Sequence, residues 1–161
     1  MILGVDEQQT PHGTMPNGLE RFRFDSQADT YDQRVGFCET DCRLIARAVL
    51  SLAGVHPGDV VVEVGARTGQ IGRWLACEGL RYVGFDLSQG MPVAFRRRVD
   101  PPRGSWALFQ ADGNRPWPIA DAAAQVIFSS RAIHLLALDH VVHEVFRVAK
   151  TKQGSPRKGH L

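Results

Sequence analysis

The sequence predicts an α/β fold in which helices flank a parallel β-sheet. Short apolar runs rich in β-branched and aromatic residues alternate along the chain with longer segments whose apolar residues recur at helical spacing. Strands that alternate with helices favour right-handed βαβ units, and such units build parallel sheets. The chain has 161 residues, which is the length of one domain with a sizeable core.

Each predicted element has a local sequence signal. Thr40 or Asp41 can cap a first helix, because a side-chain oxygen there accepts a backbone N–H that lacks a helical partner. An apolar stripe follows, and Gly54 ends the helix. The run 60–64 (VVVEV) is nearly all β-branched, which is typical of a strand buried on both faces. Similar signals predict a helix around 71–77, a strand over 81–85, a helix over 88–100, strands over 106–109 and 124–128, and a helix over 138–150.

Composition divides the chain into three parts. Residues 1–19 are rich in Pro, Gly, Gln, Asn and Thr, and we expect them to form a flexible leader. Residues 20–150 form the predicted domain. Residues 151–161 are predicted to be a basic flexible tail, since all three lysines of the chain lie in its last twelve residues.

Composition also excludes several classes of protein. The net charge of only +2 argues against nucleic acid as a partner. The sequence contains no run of 18 apolar residues that could span a membrane and no secretory signal, so we expect a cytoplasmic protein. Neither the Cys38 and Cys42 pair nor the His140 and His143 pair completes a metal-binding pattern, and no metal is predicted.

Acidic residues mark the ends of three predicted strands. Glu63, Asp86 and Asp112 lie at or near the carboxyl ends of strands, where open parallel sheets bind their ligands. A glycine-containing turn follows the first of these strands, and backbone N–H groups there can approach a ligand closely. Asp86 lies 23 residues after Glu63, where a second-strand carboxylate accepts hydrogen bonds from a ribose diol. Together these positions indicate a nucleoside-containing cofactor.

The motifs around these acids resemble those of a known family. The turn 65–72 (GARTGQIG) lacks the G-x-G-x-x-G fingerprint of dinucleotide-binding folds and fits an acidic-x-G-x-x-x-G frame. In order along the chain, VVVEVGARTGQIG, YVGFDLSQGM and FQADGNRPWPIADAAAQVIFSS resemble the first four motifs of class I S-adenosylmethionine-dependent methyltransferases, particularly the type 11 methyltransferase domains. The resemblance covers residues 22–150. It implies a Rossmann-like sheet of strand order 3-2-1-4 and S-adenosyl-L-methionine as the cofactor.

The resemblance implies a role for each matching residue near the first two strands. Glu63 would hold the ammonium group of the methionine part, directly or through water, while Gly65 and Gly69 would let the backbone approach the cofactor. Asp86 would accept hydrogen bonds from the ribose hydroxyls, with Leu87 beside the adenine ring. The full set of cofactor-binding residues that the resemblance implies is Glu63, Gly65, Ala66, Gly69, Asp86, Leu87, Asp112, Gly113, Ser129 and Tyr31.

The resemblance also implies roles outside these two strands. Asp112 would accept a hydrogen bond from the adenine amino group, and the backbone of Gly113 would face the ring. Ser129 would line the methyl-donor end of the site. Tyr31 could close over the cofactor or be a packing aromatic, and His134 could be a general base or an ordinary half-buried histidine.

Arg67 departs from the family pattern, which usually has a glycine in the middle of this turn. If the position requires a positive φ, a residue other than glycine costs on the order of 1–3 kcal/mol. The long side chain could block the cofactor. Alternatively, it could point outward or pair with the carboxylate of the methionine part.

The C-terminal segment is a second departure. The family sheet has strand order 3-2-1-4-5-7-6, whereas the segment after Lys150 (TKQGSPRKGHL) contains no apolar run. We therefore expect a truncated domain that lacks the last three strands of the family. Its fourth strand would be an exposed edge, at which a protein partner or a second copy of the chain could pair.

The function implied by the resemblance is methyl transfer from S-adenosyl-L-methionine to a small-molecule acceptor that the sequence does not identify. Such a reaction needs alignment of nucleophile, methyl and sulfur more than acid–base chemistry, so no catalytic dyad is required. The alternative is a truncated, non-catalytic remnant that at most binds the cofactor. A third hypothesis, nucleic-acid association through the basic tail, is disfavoured by the near-neutral charge.

Overall fold

The computed structural model describes residues 36–99 and 105–151 of the chain. The predicted leader over 1–19, Tyr31 and the predicted tail beyond residue 151 lie outside the described residues. The elements in chain order are helix α1 (Glu39–Ala53), strand β1 (Val60–Val64), helix α2 (Gly72–Ala76), strand β2 (Arg81–Asp86), helix α3 (Gly90–Arg96), strand β3 (Ser105–Gln110), strand β4 (Val126–Phe128), a 3-10 helix (Ile133–Leu135) and helix α4 (Leu138–Val148).

The sheet confirms the predicted topology. Its strands are all parallel and lie in the order β3-β2-β1-β4. Strand β1 is central, and its Val62 pairs with Val83 on one side and Ile127 on the other. Because both faces of β1 are covered, Val61, Val62 and Val64 are at most 1% exposed, as the β-branched run predicted.

The core has two layers, one on each face of the sheet. On one face, β1 and β2 pack against α1, α2 and α3 through residues such as Val61, Leu75 and Phe95. On the other face, β1 and β2 pack against α4 and the loop before β4, with Trp117 and Val148 among the buried residues. Alternate residues of β1 therefore contribute to opposite layers, which is the pleat expected of a strand.

Helix α1 starts differently from the prediction. Cys38 is its N-cap, with Sγ accepting a hydrogen bond from the backbone N–H of Asp41 at 3.4 Å. The prediction that Thr40 or Asp41 caps the helix is therefore wrong, because the helix begins at Glu39 and contains both residues. Its end is as predicted: Gly54 adopts φ +59°, a left-handed conformation that glycine tolerates.

The chain after α4 returns to the outer side of the sheet. Helix α4 ends at Val148, two residues earlier than predicted, and Ala149 then forms an isolated parallel bridge with Ala124. The bridge contains two hydrogen bonds, from Ala124 N to the Val148 carbonyl at 3.0 Å and from Lys150 N to the Ala124 carbonyl at 2.7 Å. Within 36–99 and 105–151, no strand pairs with the outer edge of β4 itself. Among these residues, the outer side of the sheet is therefore paired at Ala124 and unpaired along β4.

An ion pair between Glu144 and Arg147 of helix α4 binds the loop that precedes β4. Glu144 is 2% exposed and accepts hydrogen bonds from the backbone N–H of Trp117 at 2.7 Å and from Arg147 Nη2 at 2.6 Å. Arg147 also donates to the carbonyl oxygens of Trp117 and Ile119 and to Asp121 Oδ1, at 3.1, 2.8 and 2.6 Å. The guanidinium thus satisfies acceptors on three residues of a loop that has no strand pairing of its own.

Because of this ion pair, the stability of the folded protein depends on the negative charge of the Glu144 side chain. The hydrogen bonds from Arg147 lower the pKa of Glu144 from 4.5 to about 2. A carboxyl whose pKa is lowered in the folded state stabilises that state fully above its ordinary pKa. The contribution is therefore lost progressively as the pH falls from about 5 towards 2.

We expect Arg147→Met to destabilise the protein by about 3–5 kcal/mol, because it leaves a buried carboxylate without its cation. Urea unfolding at pH 7 measures this loss. The double variant Glu144→Gln/Arg147→Met removes the stranded charge, and it should recover at least about 1 kcal/mol. A single variant as stable as the wild type would show that the pair contributes nothing to the fold.

Candidate functional site

The turn after β1 is held against the end of β2 by its backbone. The N–H groups of Gly65 and Ala66 both donate to the carbonyl oxygen of Phe85, each at 3.0 Å. The N–H of Arg67 donates to Asp86 Oδ2, also at 3.0 Å. These three hydrogen bonds fix the turn at the carboxyl edge of the sheet, where the sequence predicted the ligand.

Three residues of this turn have positive φ. Gly65 and Gly69 have φ of +73° and +76°, which glycine adopts without steric cost. Arg67 has φ +50°, so the departure from the family pattern places a side chain in the left-handed region. For a residue with a Cβ, that conformation costs about 1–2 kcal/mol.

The side chain of Arg67 crosses from this turn to the loop after β4. Its Nη2 donates to the carbonyl oxygen of Arg131 at 2.7 Å. Arg131 in turn donates from Nη2 to Gln70 Oε1 at 2.7 Å, and its guanidinium lies 4.7 Å from the ring centroid of Phe37. Two arginines therefore link the turn after β1 to the segment that follows β4.

The three glycines of the predicted cofactor site lie against protein atoms. A Cβ at Gly65 would overlap the methyl group of Ala132, and one at Gly69 would overlap the ring of Phe95. A Cβ at Gly113 would lie 2.9 Å from Leu136 Cδ2. In this structure their small size permits close packing of the turn, α3 and the segment after β4.

The second and third strands bring two carboxylates to the same edge. Asp86 ends β2 and is half-buried; Oδ1 accepts from the Ser88 N–H at 3.0 Å, so two backbone donors orient the group. Asp112 follows β3 by two residues and is also half-buried, with Oδ1 bound to the Asn114 N–H at 2.9 Å. Leu87 directly follows Asp86 and is half-buried. Its carbonyl oxygen accepts a hydrogen bond from Gln110 Nε2 at 3.1 Å. The structure therefore brings these predicted residues to the edge formed by β2 and β3.

Two predicted residues follow β4. The hydroxyl Oγ of Ser129 is buried and has no hydrogen-bond partner among the described residues. A buried hydroxyl without a partner is costly, which makes Ser129 a candidate for contact with a polar ligand group. His134 lies in the 3-10 helix and is exposed, which corrects the hypothesis of a half-buried histidine.

Glu63 lies deeper than the other acids. It is 2% exposed, and Oε2 accepts a hydrogen bond of 2.6 Å from the hydroxyl of Tyr82, which is itself fully buried. Burial is the main cause that raises the pKa of Glu63 to about 8. Sequence patterns did not single out Tyr82, because its contact with Glu63 depends on the register between β1 and β2.

Arg131 and Ala132 are further residues at this edge that sequence reasoning missed. The acceptor for Arg67 is the backbone carbonyl of Arg131, and a carbonyl leaves no signature in side-chain patterns. Ala132 matters only because it fills the space beside Gly65. Neither contact can be found without the path of the chain after β4.

The described residues contain neither a membrane-crossing helix nor a metal cluster. Across 36–99 and 105–151, no helix is long and apolar enough to cross a bilayer. The same residues contain no group of three or more His, Cys, Asp or Glu side chains that could hold a metal ion.

A parallel sheet of order 3-2-1-4, with carboxylates at the ends of β2 and β3, defines a Rossmann-like architecture. Residues 61–152, more than half of the chain, match a family model described as a methyltransferase domain. The chain therefore belongs to the class I S-adenosylmethionine-dependent methyltransferase family, as its motifs predicted. S-adenosyl-L-methionine is the cofactor of that family.

Solved structures share this fold. A SAM-dependent methyltransferase from Aquifex aeolicus has a TM-score of 0.63 at 19% identity, over 84% of this chain and 77% of that one. A proposed S-adenosyl-L-methionine-dependent methyltransferase from Methanococcus maripaludis has a TM-score of 0.62 at 16% identity, over 92% of this chain and 64% of that one. Phosphoethanolamine N-methyltransferase 2 from Haemonchus contortus, in complex with S-adenosyl-L-methionine, has a TM-score of 0.60 at 22% identity, over 78% of this chain and 30% of that one.

These likenesses establish the fold alone, because all three identities are low. The chain spans 64% of the Methanococcus chain and 30% of the Haemonchus chain. Among curated proteins, no sequence matches this chain significantly.

The strain at Arg67 can be isolated by comparing two substitutions. Arg67→Ala and Arg67→Gly both lose the hydrogen bond to Arg131, but only glycine relieves the positive φ. We expect the Gly variant to be more stable than the Ala variant by about 1 kcal/mol in urea unfolding.

Arg97 provides the matched control, because it has φ −71° at the end of α3. At position 97 we expect the opposite result: Arg97→Ala should be more stable than Arg97→Gly by about 0.5–1 kcal/mol. If the two variants at position 67 are equally stable, the left-handed conformation imposes no cost.

Proposed function

We propose that this chain is an S-adenosyl-L-methionine-dependent methyltransferase that transfers a methyl group to a small-molecule acceptor. The observation that carries the proposal is the arrangement of Asp86, Asp112 and Ser129 at the carboxyl edge of the sheet, in a chain of methyltransferase-family sequence. The chain spans only part of the length of several structural neighbours.

The residues at this edge fit the parts of the cofactor. The carboxylate of Asp86, oriented by two backbone N–H groups, would accept hydrogen bonds from the ribose hydroxyls. Asp112 would accept from the adenine amino group, with Leu87 beside the ring. The unpartnered hydroxyl of Ser129 would meet a polar group at the methyl-donor end. Arg67, in the turn between these groups, would lie near the amino-acid part.

The bound cofactor supplies a methyl group on a positively charged sulfur. The protein residues then have to hold the donor and the acceptor in line, and alignment of this kind contributes several kcal/mol of rate acceleration. Where an acceptor must lose a proton first, His134 is the candidate base, because it is exposed in the 3-10 helix that follows the Ser129 segment.

A small-molecule acceptor is supported by the neighbours. The Haemonchus contortus enzyme, named as a phosphoethanolamine N-methyltransferase, shares the fold over 78% of this chain. A crevice at the edge of a single sheet is also the usual place for a small ligand in this class of fold.

Purified protein with methyl-labelled cofactor and a panel of amine, hydroxyl and thiol acceptors tests the proposed reaction. We expect label to pass to at least one acceptor and S-adenosylhomocysteine to accumulate in equal amount. Saturable binding of the cofactor without transfer to any acceptor would overturn the catalytic proposal, and it would favour a remnant that only binds the cofactor.

Asp86→Asn tests the ribose contact. We expect affinity for S-adenosylhomocysteine to fall about 10- to 100-fold, because a hydrogen bond to a charged acceptor contributes about 1.5–3 kcal/mol. Titration calorimetry measures the change, and thermal unfolding confirms that the variant is folded.

The control is Asp139→Asn, an exposed carboxylate in the first turn of α4, whose loss should leave the affinity unchanged. If Asp86→Asn binds S-adenosylhomocysteine as tightly as the wild type does, then Asp86 is not the ribose acceptor.

A further inference from the structure

Glu63 and Tyr82 form a buried pair for which the sheet makes room. Val61 is the register partner of Tyr82, and Gly84 is the register partner of Glu63. The phenol therefore lies across Gly84, where a Cβ would come within 2.7 Å of the Tyr82 hydroxyl. On the helix side, a Cβ at Gly72 would overlap both the hydroxyl and Glu63 Oε2. Two glycines on different elements thus leave the space that the pair occupies.

The Tyr82 ring has a fixed position. It is fully buried and packs edge-on against Phe95, with 5.7 Å between the ring centroids. Its hydroxyl donates to Glu63 Oε2 at 2.6 Å. The second carboxyl oxygen, Oε1, receives no hydrogen bond from the described residues. The Tyr82 hydroxyl therefore hydrogen-bonds to Oε2 of Glu63, and Oε1 can accept a hydrogen bond from a different donor.

The charges around Glu63 come from two elements. The pKa of Glu63 is raised to about 8, mainly by burial and also by Asp86 on β2, while the Tyr82 hydrogen bond and Arg67 in the turn act in the lowering direction. From α2 it faces Gly72, which has no charge. Burial and the carboxyl also raise the pKa of Tyr82 well above its ordinary value, so the phenol remains a donor. Near neutral pH the pair is thus predominantly carboxylic acid and phenol.

We propose that Tyr82 is a positioning residue for Glu63, and that cofactor binding releases one proton from this pair. The inference rests on the proposed function and on the role that the family resemblance implies for Glu63, which is to hold the ammonium group of the amino-acid part. When that ammonium group binds, the O–H bond of the Glu63 carboxylic acid breaks and the proton passes to solvent. The resulting carboxylate then pairs with the ammonium group through Oε1, while Oε2 keeps its bond to Tyr82. Cofactor affinity consequently rises with pH.

Calorimetry of S-adenosylhomocysteine binding at pH 7 in phosphate and in Tris counts the protons released, because these buffers differ in ionisation enthalpy. We expect close to one proton per ligand for the wild type. Methylthioadenosine lacks the amino-acid part and is the matched ligand, for which we expect no proton release. Equal heats in the two buffers for S-adenosylhomocysteine would overturn the inference.

Tyr82→Phe tests the positioning role. We expect affinity for S-adenosylhomocysteine at pH 7 to fall about 2- to 10-fold, as for the loss of one hydrogen bond. The pH at which binding reaches half its maximum strength should also rise, because the Tyr82 bond lowers the pKa of Glu63. The affinity for methylthioadenosine should not change, whereas damage to the fold would lower the affinity for both ligands. An unaltered pH profile would contradict the positioning role.

Glu63→Gln keeps the inference testable where Tyr82→Phe does not fold. This variant should bind S-adenosylhomocysteine without releasing a proton, and proton release that persists would overturn the assignment to Glu63. The outcomes also separate the two proposals. If the wild type binds neither ligand, the proposed function fails; if it binds both without proton release, only the inference about Glu63 and Tyr82 fails.

Discussion

The architecture of the candidate site depends on one carbonyl group. The oxygen of Phe85, near the end of β2, accepts two consecutive backbone N–H groups of the turn that leaves β1. This contact fixes where the turn lies relative to Asp86 and hence where Arg67 enters the left-handed region. Since backbone groups make the contact, many side-chain sequences can form it. The two hydrogen bonds hold the turn at this place with an arginine at residue 67, where the family pattern usually has a glycine.

Side chains add a second set of constraints, which joins the turn to the segment after β4. Arg67 reaches the carbonyl of Arg131, and the side chain of Arg131 reaches back to Gln70. Ala132 fills the space beside Gly65. In the proposed cofactor site, the amino-acid end would lie beside the two arginines and this segment. The ribose end would lie beside Asp86, which the turn contacts through the N–H of Arg67.

The sequence predicted the fold well because the relevant signals are local. The valine run of β1, Gly54 at the end of α1 and the alternation of strands with helices each required only a few neighbouring residues. The motifs then supplied the strand order. Contacts that depend on register or on the path of a loop were not predictable, and the Tyr82 bond to Glu63 is the clearest example. Glu144 and Arg147 did carry a signal, since residues three apart on a helix lie on one face. The roles of Asp86, Asp112 and Ser129 towards a ligand stay predictions.

The ion pair between Glu144 and Arg147 holds the loop before β4 through side chains, whereas the strands are held by backbone pairing. Asp86 belongs to a hydrogen-bonded strand, whereas Asp112 belongs to a loop that side chains hold onto α4. Regions of one domain can open separately, each with its own free energy. The loop that contains Asp112 would then exchange its amide hydrogens faster than the end of β2, and substitutions in the loop would lower its local stability while the sheet stays intact.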